Sequence, residues 1–259
     1  MHHFTLPKSC FVLIGLLLVT SCASKKDMLY FQDADVFDET NFVNPVGIIQ
    51  HNDILSITVE ALVQETTIPY NKQQSSNGIV PNSIETLKIQ GYLVDREGQI
   101  NFPVLGKLSI AGTTLGEAET ILEKTLSDGG HLVGPKVTIR ILNAKVTVLG
   151  EVKQPGTFGF TEQYITLPQA LGYAGDLTIN GKRDDILLIR QMNGIRHIYH
   201  LDLTRTNWLN DSTYSIRQND VIVVNPNNAK LKSAGFVGNS STVLTIASLI
   251  LSSVVLLTR

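Results

Sequence analysis

The sequence predicts an α+β chain in which strands outnumber helices. Three observations carry this. First, apolar residues alternate in IIQHNDILSITVEALV (48–63), PKVTIRIL, KVTVLGEV, DDILLIRQ and DVIVV, the two-residue period of half-buried strands. Second, the clearest helical repeat is Leu115, Ala118, Leu122 and Leu126, preceded by Thr114 and Glu117 at capping-box spacing. Third, Glu97-Gly98, Asp128-Gly129-Gly130 and Asn193-Gly194 break the pattern with turn chemistry. The long apolar segment 241–258 adds an expected C-terminal transmembrane α-helix to this fold class.

Taken in order, the elements begin with a strand at 54–59, where Leu55, Ile57 and Val59 form the apolar face. Residues 64–84 are polar, hold two prolines and read as a long loop. YLVD and QINFPVLGKLSIAG are strands about the 97–98 turn, and a helix is expected over about 114–127. PKVTIRIL and KVTVLGEV flank Asn143-Ala144, which is taken as the joint between two domains. Beyond it come a short helix around 166–174, the DDILLIRQ and IRHIYHLD hairpin, and DVIVV. Ile49-Gln50-His51-Asn52-Asp53 is echoed by Ile216-Arg217-Gln218-Asn219-Asp220, each followed by two apolar residues. Asn tolerates the left-handed region and Asp bonds nearby backbone, so both read as turns that open strands.

The N-terminus carries Lys8, a ten-residue apolar run from Cys10 to Val19, and Leu18-Val19-Thr20-Ser21 directly before Cys22. The run is too short to span a bilayer and reads as a signal peptide, 1–21. The residues before Cys22 resemble a bacterial lipobox, which implies that Cys22 is lipidated; an ordinary signal peptide with a chance cysteine is the blander reading. Ala23 resembles the residue that follows the cysteine in lipoproteins sent to the outer membrane. Removal of Cys10 and acylation of Cys22 would leave no thiol for a disulfide or a metal. Residues 22–44 are expected to form a lipidated tether. With 21 basic and 23 acidic residues and no basic run, nucleic-acid binding is a poor reading.

IIQHNDILSITV, DREGQINFPVLGKLSIAGTTLGEAETIL and VTIRILNAKVTVLGEV resemble the polysaccharide-export domain of outer-membrane polysaccharide exporters. VLGEVKQPGTFGFTEQYITLPQALGYAGDLTINGKRDDILLIR and YSIRQNDVIVVNP resemble the SLBB (β-grasp) domain that follows it in that family. The resemblance implies an export domain at 45–144, an SLBB domain at 145–227, a junction at 228–240 and the helix at 241–258. Asn52 and Asn219 stand where the family usually has Gly, and Asp176 replaces the second Gly after Ala174-Gly175. Asn can hold the same left-handed backbone, so the fold is expected to persist. The family further implies a passive conduit for capsular or extracellular polysaccharide, a ring homo-oligomer of about eight copies, contact with outer-membrane lipid, and an inner-membrane polysaccharide co-polymerase as partner. A periplasmic glycan-binding lipoprotein and a structural bridge to an inner-membrane complex are the alternatives.

No enzyme constellation stands out. His51, His131, His197 and His200 form no His-Glu-x-x-His, and His197 and His200 sit three apart in a strand, on opposite faces. Asp184-Asp185 reads as a solvated pair. No cofactor, metal site or catalytic residue is assigned. In 241–258, Ser241, Thr245, Ser248 and Ser252 fall within about 60° on a helical wheel, opposite a Val/Ile/Leu face. This stripe fits either close helix packing or the water-facing wall of a pore.

Overall fold

The computed structural model describes residues 28–37, 47–72, 83–192, 194–233 and 240–257. Two α+β domains follow one another. In the first, strands β1 (Ile54–Glu60), β2 (Tyr92–Leu93) and β5 (Lys136–Ile141) form an antiparallel sheet in the order β2-β1-β5. Strands β3 (Gln99–Phe102) and β4 (Gly106–Ser109) form a separate hairpin. Leu55, Ile57 and Val59 of β1 are buried with Val137 and Ile139 of β5. Their cover includes a helix over Leu115–Asp128 whose buried residues are Leu115, Ala118, Leu122 and Leu126, the expected set.

The same helix guards the free edge of β5. Glu123 Oε1 accepts a hydrogen bond from Val137 N at 3.1 Å, and Glu119 Oε1 accepts one from Ile139 N at 2.8 Å. One i,i+4 carboxylate pair thus occupies two outward backbone donors that would otherwise invite another strand. In chain order this helix is α2. A seven-residue helix, α1 (Ile84–Gln90), precedes it, with Ser83 Oγ accepting from Thr86 N at its start. It begins where the loop expected over 64–84 ends, in a stretch for which the sequence predicts no element.

In the second domain, β6 (Lys145–Gly150), β7 (Gly156–Gly159), β9 (Gly181–Met192), β10 (Ile195–Leu201) and β12 (Val221–Pro226) build a mixed sheet in the order β10-β9-β12-β6-β7. Only β12 and β6 run parallel. Strands β8 (Ile165–Thr166) and β11 (Ser215–Ile216) pair separately, and α3 (Leu167–Tyr173) follows β8. Thr166 and Gln169 close a second capping box around Pro168. Gly150 ends β6 at φ 89°, and a Cβ there would lie 2.0 Å from Val224 O, so only glycine fits.

Register places Ile198, Ile189 and Val221 side by side on one face, with Leu187, Val223 and Leu149 in the neighbouring row. Ile198 and Leu149 are 57 and 43 % exposed. Core residues such as Ile186, Leu188, Ile222 and Val148 alternate with these and point the other way.

Part of the expected tether is docked on the second domain. Phe31 N donates to Leu203 O and Gln32 N to Thr204 O, while Tyr30 Oη donates to Asp176 Oδ1 at 2.7 Å. Phe31 stacks on Trp208 at 5.8 Å, and the Arg183 guanidinium lies 5.2 Å from the Tyr30 ring. Burial and Asp176 together raise the Tyr30 hydroxyl pKa.

The C-terminal expectation needs correction. After α4 (Asn228–Ser233), helix α5 runs over Ser240–Leu257, yet no helix among the described residues is long and apolar enough to cross a membrane. Eighteen residues rise about 27 Å, short of the ~30 Å hydrocarbon core. Seven of the eighteen are Ser or Thr, which dilutes the apolar character.

Candidate functional site at the junction of the two domains

The sequence echo becomes a physical joint. Asn52 and Asn219 both adopt the left-handed region, at φ 67° and 63°. In each turn the aspartate that follows bonds back to the backbone three residues earlier: Gln50 N donates to Asp53 Oδ2 at 2.7 Å, and Arg217 N donates to Asp220 Oδ2 at 2.8 Å. The two turns then meet across the domains. Gln218 Nε2 donates to Asp53 Oδ1 and Oδ2, and Asn219 Nδ2 donates to Gln50 Oε1 at 3.2 Å.

Asn143, in the short link between β5 and β6, ties the joint to β1. Its Oδ1 accepts from Ile54 N and its Nδ2 donates to Asn52 O, both at 2.9 Å. The side chain therefore continues the β1–β5 ladder where the backbone leaves it. On the other side, Asn219 N donates to Lys145 O and Thr147 N to Asp220 O, fastening the second turn to β6.

The two aspartates differ in their support. Asp220 is buried against Arg190, with Nη2 to Oδ2 at 2.6 Å and Nε to Oδ1 at 3.0 Å. Arg190 also donates to Ser212 O and Ser215 O, so its guanidinium is well satisfied. Among the described residues Asp53 has no cation in hydrogen-bond contact and rests on neutral donors. Burial is the largest influence on both carboxyls and raises both above the usual range, against the lowering pull of their donors. Arg217 is lowered, first by burial and then by repulsion from Arg190.

Around this joint opens a cleft of about 1150 Å³, walled by both domains. Glu97, Thr138 and Arg140 line it from the first domain, and Gln163, Gln191 and Arg217 from the second. Gln191 sits on β9 beside the buried Arg190, facing the opposite side of the sheet.

The expected site residues lie elsewhere. Cys22 falls outside the described residues, as does the lipobox before it. Thr245, Ser248 and Ser252 are exposed on α5, and Ser248 Oγ donates to Thr245 O at 2.9 Å. Ser241 belongs to the first turn of α5, and its side chain is outside the described set. Asp184 is exposed, whereas Asp185 accepts from His200 Nδ1 at 2.6 Å and from Lys182 Nζ at 3.2 Å. The His200 hydrogen bond is the main cause that lowers the Asp185 carboxyl.

Sequence reasoning found both turns but not their contact, nor the Arg190–Asp220 pair. The only signal for the contact was the echo itself.

Comparison with known proteins agrees with this two-part organisation. Residues 43–142 match the family of polysaccharide biosynthesis/export proteins, and residues 145–196 match the SLBB domain. The EPS I polysaccharide export outer membrane protein EpsA of Ralstonia solanacearum is 28% identical over 170 residues, 64% of this chain and 44% of that protein. The protein of the same name from Ralstonia nicotianae is 34% identical over 106 residues, 39% of this chain and 27% of that protein. The chain thus matches less than half the length of these curated relatives. Residues 43–142 thus carry a domain of the polysaccharide biosynthesis/export protein family and residues 145–196 an SLBB domain, joined through paired turns.

Proposed function

We propose that this chain is a subunit of an outer-membrane assembly for export of capsular or extracellular polysaccharide. Copies form a ring, and the polymer passes through it passively, with no residue performing chemistry. The observation that carries this reading is the export domain followed by the SLBB domain, with two relatives named as polysaccharide export outer membrane proteins. The open aliphatic sheet face around Ile198 and Leu149 supports assembly, because exposed apolar patches mark contact surfaces. An inner-membrane polysaccharide co-polymerase would deliver the chain to the ring.

In this reading Cys22 carries lipid in the outer membrane. Five residues lie between it and Met28, so the six Cα–Cα steps reach about 21 Å when extended. Because Tyr30 and Phe31 are docked on the second domain, the lipid would hold that domain beside the bilayer. Helical spacing sets Ser241, Thr245, Ser248 and Ser252 along one side of α5. We assign this stripe to contacts between helices of neighbouring copies or to the water of the conduit.

The test is genetic and structural. Removing the gene should abolish surface polysaccharide while the polymer still accumulates inside the cell, and the wild-type chain should restore export. Electron microscopy of the detergent-extracted protein should show rings. Normal surface polymer without the gene, or only monomers under mild extraction, would overturn the reading. Metabolic labelling with a palmitate analogue should mark the wild-type chain and not Cys22→Ser.

A further inference from the structure

The cleft between the domains has a composition that the transport reading does not use. Asn52, Gln163 and Gln191 line it with side-chain amides outside the joint, beside Gln50, Gln218 and Asn219, whose amides bond across the joint. Its charges balance, with four Arg or Lys against four Asp or Glu, and Arg190 and Asp220 neutralise each other directly. Such a wall offers no net field to select an anion. It offers instead many groups that both donate and accept, as sugar hydroxyls do.

One of these amides is only half satisfied. Gln218 is 9 % exposed; its Nε2 is spent on Asp53, while Oε1 is buried with no hydrogen-bond partner among the described residues. A buried acceptor left unmade costs about 1–3 kcal/mol, so a small turn of this amide that brings Oε1 to a ligand hydroxyl in the cleft is favoured. Asn52, Gln163 and Gln191 stand exposed around the mouth. At about 1150 Å³ the space exceeds the roughly 300–1,000 Å³ of small-molecule pockets, and it is open. It therefore suits a length of chain rather than one small molecule.

We propose that this cleft is a saccharide-binding site that holds a hydroxyl-rich segment of the exported polymer through side-chain amides rather than through charge. The proposal rests on the polysaccharide-export reading and adds a contact site to it. Binding is weak and sequence-tolerant, since amides reorient and the cleft has no closed wall, and a polymer so held can still move on.

The test uses the full chain in detergent. The probe is a set of hexa- to decasaccharides made by partial acid hydrolysis of the producing bacterium's own exopolysaccharide. Saturation-transfer difference spectra should show contact, and titration should give a measurable affinity. The Gln163→Ala/Gln191→Ala pair, both exposed residues, should weaken it about tenfold. Arg205→Ala, exposed and outside the cleft, should leave it unchanged. No transfer signal, or equal affinity in the double variant, would overturn the site. Binding that collapses at high salt would overturn recognition by amides in favour of charge. These results are separable from the export reading: a cleft that binds nothing in a protein that still restores export fails the site alone, whereas normal export without the gene fails the broader reading.

Discussion

Gln218 Nε2 donates to both carboxylate oxygens of Asp53, at 2.8 and 2.7 Å, across 165 residues of chain. With the Asn219 Nδ2 to Gln50 Oε1 bond, this amide couples the turn that opens β1 to the turn that opens β12. The partner aspartate in the second turn, Asp220, is held by a buried guanidinium. Two turns alike in sequence are therefore unlike in electrostatics, and they should respond differently to the same change.

Asp53→Asn should be tolerated. Asparagine Oδ1 can still accept from Gln50 N, and once the Gln218 amide turns over, the asparagine Nδ2 can donate to Oε1, which has no partner among the described residues in the wild type. Asp220→Asn removes the negative charge facing Arg190 and leaves a buried cation, a loss of about 3–5 kcal/mol. Thermal unfolding of the two variants should show a small shift for the first and a large one for the second.

The pH dependence follows from the raised carboxyl of Asp53. A folded pKa above the unfolded value means that the folded state binds the proton more tightly, so stability falls as pH rises from the unfolded value, about 3.9, to the raised folded one. Above that window the loss is complete and constant. Asp53→Asn should flatten this part of the profile, which denaturant melts across mildly acidic pH would read. An unchanged profile would place the titration elsewhere.

Gly150→Ala tests the parallel pairing of β6 and β12. The added Cβ meets Val224 O at 2.0 Å in a left-handed backbone, so contact and conformation are both violated. The expected loss is at least ~2 kcal/mol, from strain of about 1–3 kcal/mol plus the clash. The nearby Gly156→Ala meets only the Phe158 ring at 3.5 Å and should cost far less in the same melt.

How far the sequence reached can be judged from particular residues. The α2 core of Leu115, Ala118, Leu122 and Leu126 was legible because period and capping box agree locally. The left-handed Asn52 and Asn219 were legible because few residue types accept that geometry. The Gln218–Asp53 contact was not, because a pairing between distant turns leaves no periodic trace. Tyr30 and Phe31 looked like tether for the same reason: their partners, Asp176 and Trp208, are more than 140 residues away. The membrane role expected for α5 came from length and lack of charge, and its seven hydroxyl residues outweigh both.

That strap yields a further prediction. Tyr30→Ala/Phe31→Ala removes the hydroxyl bond to Asp176, the ring under Arg183 and the stack on Trp208. Tyr30 only flanks the second core and neither residue is buried within a core, so both domains should stay folded. Limited proteolysis should cut the variant near residue 30 much faster than the wild type, at unchanged unfolding temperature. Equal cleavage rates would mean that the strap is held by its backbone bonds to Leu203 and Thr204 alone.

The open sheet face gives the test of assembly. Ile198 is 57 % exposed on the edge strand β10, in register with Ile189 and Val221, so a charge there meets no core residue. Ile198→Lys should leave the monomer's stability within about 0.5 kcal/mol, as for ordinary surface changes. If copies meet through this face, burying an unpaired ammonium costs several kcal/mol and the assembly dissociates. Light scattering of the extracted protein should then fall from oligomer to monomer, while Arg196→Glu, next on β10 toward the hairpin turn, has a smaller effect. An Ile198→Lys protein that assembles like the wild type would move the interface off this sheet.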